Sequence, residues 1–219
     1  VNASCGSRYV IAVQRGRDGS AWMHTTPRVG DVLRATPPVN HFALTEDARH
    51  SVFIAGDIGI TPMVPMLRRL HALGRSWRLH YASRSPAQPA FADELRALGD
   101  EKTEFCFGAP GGARLDIAAI VREAPPDAHL YCCGPARMID AFIEGCASRP
   151  AHAVHFERFE AVGRVDVVAV FFVRVDVAFF VGVEPHDGGF GAITCLGDGE
   201  EEGESGKVVR PIGRVENHP

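Results

Sequence analysis

Apolar residues in the first 44 positions come in short runs cut by turn residues: "YVIAVQR", "GRDGSAWMHT" and "VGDVLRATPPVNHFAL". That spacing, punctuated by Gly and Pro, predicts strands and hairpins, hence an all-β segment. From residue 51 to 156 the pattern changes. Continuous apolar runs alternate with helical ones: "SVFIAG" leads to "TPMVPMLRRLHALG", "WRLHYASR" to "PAFADELRALG", "TEFCFG" to "DIAAIVREA", "AHLYCCG" to "PARMIDAFIEGCAS", and "AVHFERF" closes. Five strands separated by four short helices predict an α/β fold with a doubly wound parallel sheet. In the helix that opens near Thr61-Pro62, Met63, Met66, Leu67, Leu70 and Leu73 share one face and Arg68 and Arg69 the other, a stripe meant for core packing.

Composition narrows the classes. A chain of 219 residues, 46% of them hydrophobic, has material for one large domain or two small ones. A net charge of -4 supplies no basic field, which excludes nucleic acid as a partner. The longest apolar run, residues 165 to 183, is interrupted by Asp166, Arg174 and Asp176, so a membrane span is excluded too. The six cysteines include the adjacent Cys132 and Cys133, with Cys106 and Cys146 in apolar runs, which fits reduced, buried thiols in a cytoplasmic protein. No signal peptide is visible, and Val1 is not a natural start, so residues are expected to be missing upstream.

The candidate chemistry sits where the strands end. In open α/β sheets ligands bind beyond the carboxyl ends of the strands. Those ends carry Gly56 to Thr61, Ala82 to Ser85, Gly108 to Gly112 and Cys132 to Pro135. In "FIAGDIGITPM", Gly56 and Gly59 let main-chain N–H groups approach an anion at a helix N-terminus, with Pro62 at an early helical position. The loop is neither G-x-G-x-x-G nor a P-loop, and a tight structural turn is the competing reading. Gly134-Pro135 makes a second such turn, and two helix ends at one rim favour a dinucleotide. The ten histidines are scattered without metal-ligand spacing, so no metal site is expected.

In order and spacing, "AGDIGITPM", "YASRSP", "YCCGPARMIDAF" and "HFERF" resemble the ferredoxin reductase superfamily, in the branch of the phthalate dioxygenase and vanillate demethylase reductases. The resemblance covers residues 1 to about 160. It implies an antiparallel flavin-binding barrel ahead of the nucleotide domain, and electron flow from NADH to flavin, then to a plant-type [2Fe-2S] cluster, then to a partner oxygenase. Carried over residue by residue, it puts the pyrophosphate and nicotinamide side of NADH on Gly56, Gly59, Ile60, Thr61 and Pro62, and the adenosine half on Ser83 and Arg84. Cys133, Gly134 and Pro135 border the nicotinamide ring, and Phe159 lies against the isoalloxazine, which makes Cys133 and Phe159 the residues nearest the chemistry. Ala12, Val13, Gln14 and Arg15 match the strand along the flavin; Gly19 to His24 match the turn and helix start that hold its phosphate through backbone N–H groups and Ser20. The flavin implied is FMN, with FAD as the alternative.

Two departures accompany the match. The strand that should precede "VNAS" is absent, so residues 1–46 amount to a partial barrel, followed by the nucleotide domain at 50–160. Beyond residue 160 only Cys195 remains, and a plant-type cluster needs four thiolates in C-x4-C-x2-C…C spacing, so its ligands are absent here. Residues 161–219 form an unassigned tail in which "RVDVVAVFFVRVDVAFF" reads as two strands or as an aggregation-prone edge and "GDGEEEGESG" as a solvated acidic loop or a disordered tail. The function expected is an NADH-dependent flavin oxidoreductase serving an aromatic-ring oxygenase or demethylase. The alternative is a non-catalytic nucleotide-binding remnant of one.

Overall fold

The computed structural model describes residues 8–14, 18–28, 31–35, 40–84, 89–108, 114–159, 171–176 and 190–197. The parallel sheet is built from β3 (His50–Gly56), β4 (Ser76–Ser83), β5 (Thr103–Phe107), β6 (His129–Cys133) and β7 (Val154–Glu157), after the shorter β1 (Arg8–Gln14) and β2 (Val32–Ala35). The strand order is β5-β4-β3-β6-β7, every pair parallel. Helices α2 (Met63–Ala72), α3 (Ala92–Gly99), α4 (Ile117–Glu123) and α5 (Ala136–Gly145) make the crossovers, after an earlier helix α1 (Asp18–Thr25).

Alternation along β3 sorts the core into two layers. Phe53 and Ala55 pack with Met63, Leu67 and Leu70 of α2 and Leu95 of α3. Val52 and Ile54 pack with Ile117 and Val121 of α4 and Ile139 and Phe142 of α5. Helices therefore cover both faces, which is why the central strands read as continuous apolar runs rather than as alternating ones. Helix α4 starts where the Asp116 carboxylate accepts the Ala119 N–H, an N-cap. Its far end is held by Arg149, which donates to the carbonyls of Val121, Ala124 and Pro125. Order changes direction between β3 and β6, so loops leaving these neighbours part to opposite faces and open a crevice at their carboxyl ends.

The N-terminal segment adds a helix to the strands that its apolar pattern predicts, at the helix start that the resemblance implies for Gly19 to His24. Residues 18–25 form helix α1, docked on β1 through a hydrogen bond between His24 Nε2 and the Val13 carbonyl at 2.9 Å. Strands β1 and β2 do not pair with each other. Between them lie β8 (Phe171–Asp176) and β9 (Phe190–Gly197), in an antiparallel sheet ordered β1-β9-β8-β2. Arg8 to Gln14 run opposite Leu196 to Phe190, and Val32 to Ala35 opposite Arg174 to Phe171. Of the run expected to form two strands, residues 171–176 are one strand, and the rest, with "GDGEEEGESG" beyond Gly197, lies outside the described residues.

The segment joining the two sheets is anchored on Tyr131 of β6. Thr45 N–H donates to the Tyr131 hydroxyl at 2.9 Å, and the Phe42 ring meets Tyr131 edge-on. Phe53 and His155 stack near-parallel with the Tyr131 ring, at 4.8 and 4.4 Å between centroids.

Candidate nucleotide-binding site

The residues from Gly56 to Pro62 leave β3 through one turn of 3-10 helix, Asp57–Ile60, and α2 follows with Pro62 at its N-cap. Thr61 closes the turn twice: its N–H and its hydroxyl both donate to the Ile58 carbonyl, at 3.0 and 2.9 Å. Ile60 is fully buried and Thr61 nearly so, and both belong to the protein interior.

The two glycine loops meet. A Cβ added to Gly56 would fall 2.7 Å from Pro135 Cδ, and one on Gly59 2.1 Å from the Cys133 carbonyl oxygen. Gly134 is less tightly held: its added Cβ would meet Met138 Sδ at 2.8 Å and Gly56 Cα at 3.1 Å. These glycines are required first for the close approach of the β3 and β6 loops, which places both helix starts at one rim. A cleft of about 480 Å³ opens there, lined by Asp57, Arg84, Pro135, Ala136 and Arg137. Both guanidinium groups flank it, and the site is cationic apart from the Asp57 carboxylate.

Asp57 enters the turn with φ of 48°, in the left-handed region that disfavours a side chain, although Asp tolerates it better than most. Its carboxylate accepts the Arg84 N–H at 3.0 Å and Arg84 Nε at 2.6 Å. The Tyr81 hydroxyl donates to the Asp57 carbonyl at 3.3 Å, and burial together with the Asp57 charge pushes the Tyr81 phenol well above its ordinary range. Sequence reading treated Asp57 only as a spacer between glycines and passed over Arg137. An acidic residue entering a glycine turn was the available signal for the first.

Cys133 is fully buried, and burial, with the Glu157 carboxylate beside it, pushes its thiol up to about 12. It is a neutral thiol at physiological pH, able to shape a surface but not to act as a nucleophile. Glu157 lies opposite Cys133 in the β6–β7 pairing, and burial raises its carboxyl above the usual range. Ser83 is buried at the end of β4. Phe159 follows β7 by two residues with 53% of its surface exposed, an open aromatic ring near that rim.

Ala12, Val13 and Gln14 are half-buried in β1, an edge strand whose backbone comes within 8 Å of the Asp57–Ile60 turn. Gly19 and Ser20 fall in the first turn of α1. Arg15 lies outside the described residues. Among the described residues no group of three or more His, Cys, Asp or Glu is placed to hold a metal ion, and no helix is long and apolar enough to cross a membrane.

The chain is similar to several known proteins. Phenoxybenzoate dioxygenase subunit beta of Ectopseudomonas oleovorans is 49% identical over 157 residues, covering 70% of this chain and 49% of that protein. Phthalate dioxygenase reductase of Burkholderia cepacia is 40% identical over 162 residues, covering 71% and 50%. A solved phthalate dioxygenase reductase, described as a modular structure for electron transfer from pyridine nucleotides to [2Fe-2S], superposes with a TM-score of 0.51 at 33% identity, over 62% of this chain and 47% of that one. The chain thus spans about half the length of the curated relatives it matches. No protein-family model matches it.

Proposed function

The chain belongs to the ferredoxin reductase superfamily, in the branch of the phthalate dioxygenase reductases, and from that premise we propose that it is the hydride-accepting part of an oxygenase reductase component. The observation that carries this reading is the meeting of the Gly56 and Gly134 loops beside a cleft with two guanidinium groups. Backbone N–H groups at the starts of α2 and α5 hold the pyrophosphate of NADH, helped by the helix dipoles. Ser83 and Arg84 line the adenosine half. Gly134 and Pro135 border the nicotinamide, and the buried Cys133 just before them supports that edge from the core.

The residues also fit a flavin, which the family resemblance makes FMN, with FAD as the alternative. The first turn of α1 at Gly19 and Ser20 offers N–H groups to its phosphate, the β1 backbone from Ala12 to Gln14 runs along it, with Arg15 next in sequence, and the exposed Phe159 ring is available for stacking. Bound flavin supplies a two-electron acceptor for hydride; the chain's part is to stack, orient and exclude water. A [2Fe-2S] cluster does not fit this chain. Cys132, Cys133 and Cys146 are buried thiols whose pKa values burial raises, and no plant-type cysteine spacing occurs in the sequence. We therefore assign residues 50–160 to nucleotide binding and 1–46, with strands from the 161–219 tail, to the flavin side, in a cytoplasmic protein. The partner is an aromatic-ring oxygenase or a demethylase of the vanillate type.

The test is anaerobic addition of NADH to the FMN-loaded protein, followed by ferricyanide. Loss of the flavin's blue absorbance and reduction of ferricyanide are expected. Tight NADH binding with an unchanged flavin spectrum would instead identify a nucleotide-binding remnant.

A further inference from the structure

Asp57 is placed to decide which nicotinamide dinucleotide the cleft accepts. Three contacts fix it: its carboxylate takes the Arg84 N–H and Nε, and its own carbonyl takes the Tyr81 hydroxyl. Its side chain is 12% exposed, while that of Arg84 is 73% exposed, so the carboxylate forms part of the wall and the guanidinium projects into solvent at the cleft. A positive φ at a non-glycine residue is retained at some conformational cost, and here the side chain it places has a defined task.

We propose that Asp57 is a specificity-determining residue that makes the cleft select NADH over NADPH, a reading that rests on the nucleotide function proposed above. NADPH differs by a 2′-phosphate carrying nearly two negative charges, and Arg84 is the cation expected beside the adenosine ribose. Asp57 offsets that cation: one carboxylate oxygen occupies Nε, which takes the side-on edge of the guanidinium away from a phosphate and leaves it only the terminal-nitrogen edge, beside a neutralising negative charge. The same carboxylate repels a second anion across a partly desolvated wall. A ribose hydroxyl suffers neither effect and can donate to a carboxylate. Arg137 at the opposite lip remains for the pyrophosphate, which both dinucleotides share.

The test measures dissociation constants for NADH and NADPH by nucleotide fluorescence, together with kcat/KM for each, in the wild type, D57N and D57G. Asn keeps the shape and tolerates the left-handed turn; Gly relieves the turn altogether, so a folded variant without the carboxylate is secured. The wild type should bind NADH at least about tenfold more tightly than NADPH, and both variants should narrow or invert that ratio by about tenfold or more. Adding R84A to D57N should abolish the gain in NADPH binding, and the gain should shrink with added salt. An unchanged nucleotide ratio in folded D57N and D57G, with NADH still bound, overturns the assignment of Asp57 while leaving the nucleotide reading intact. Failure of the wild type to bind either dinucleotide overturns both.

Discussion

Replacing Gly59 with alanine tests whether the two glycine loops are held in contact by absent side chains. The new Cβ would sit 2.1 Å from the Cys133 carbonyl oxygen, 2.4 Å from its carbon and 2.8 Å from Gly134 N. Ordinary contact starts near 3.4 Å, so the turn and the end of β6 must separate by roughly 1.3 Å. Overpacking costs about 1–3 kcal/mol where side chains can yield. Here the obstacles are backbone atoms at the end of a central strand, which sets the expected loss at about 3 kcal/mol. For a chain of this size that lowers Tm by roughly 6–12 °C. Moving Gly134-Pro135 also displaces the start of α5, so NADH affinity should fall with stability. The assay is thermal unfolding followed by circular dichroism, with nucleotide fluorescence on the folded protein. Gly108→Ala is the control: nothing lies within 4 Å of its added Cβ, and a change within about 0.5 kcal/mol is expected. A Gly59→Ala protein melting within about 1 °C of wild type would refute the packing argument.

Other outcomes follow from individual contacts. Arg149→Ala should cost about 2 kcal/mol, because three carbonyls at the end of α4 and just beyond it lose a charged donor; lysine, lacking the fork, should restore only part, as urea midpoints will show. Tyr131→Phe leaves the Thr45 N–H without its acceptor and should cost about 1 kcal/mol, with faster hydrogen exchange at that amide; unchanged exchange would count against the anchor. Burial raises the thiols of Cys133 to about 12 and Cys146 to about 11, from 9, so the folded state holds protons that the unfolded chain releases. Their contribution to stability is therefore complete below pH 9 and is lost as pH rises through 11 to 12, and the Cys133→Ser protein should show a shallower loss across that window. In the same variant, slower hydride transfer with little change in NADH affinity is expected if the thiol positions the nicotinamide, whereas lower Tm with unchanged turnover would make it a packing residue only.

What the sequence determined by itself is the parallel sheet and its helices. Each strand from β3 to β7 and each helix from α2 to α5 falls on the run that predicts it, because strands buried on both faces and helices buried on one must carry their apolar residues at local, readable spacings. Motif residues at the strand ends were legible for the same reason: topology sends every loop of such a sheet to one rim. Periodicity hid helix α1 because "GRDGSAWMHT" carries turn residues, and only the family resemblance implied its start; part of its hold on the fold is the His24 contact with Val13, eleven residues away. The pairing of β1 with β9 was hidden as well, since an antiparallel register between residues 8–14 and 190–197 leaves no trace in the periodicity of either segment. Within the site, tertiary structure alone showed that Gly59 faces the Cys133 carbonyl rather than an open cradle, and that Asp57 grips Arg84 from 27 residues away. Periodicity records which side of an element is apolar. The distance between two loop atoms depends on the packing of every strand between them, and only the assembled sheet fixes it.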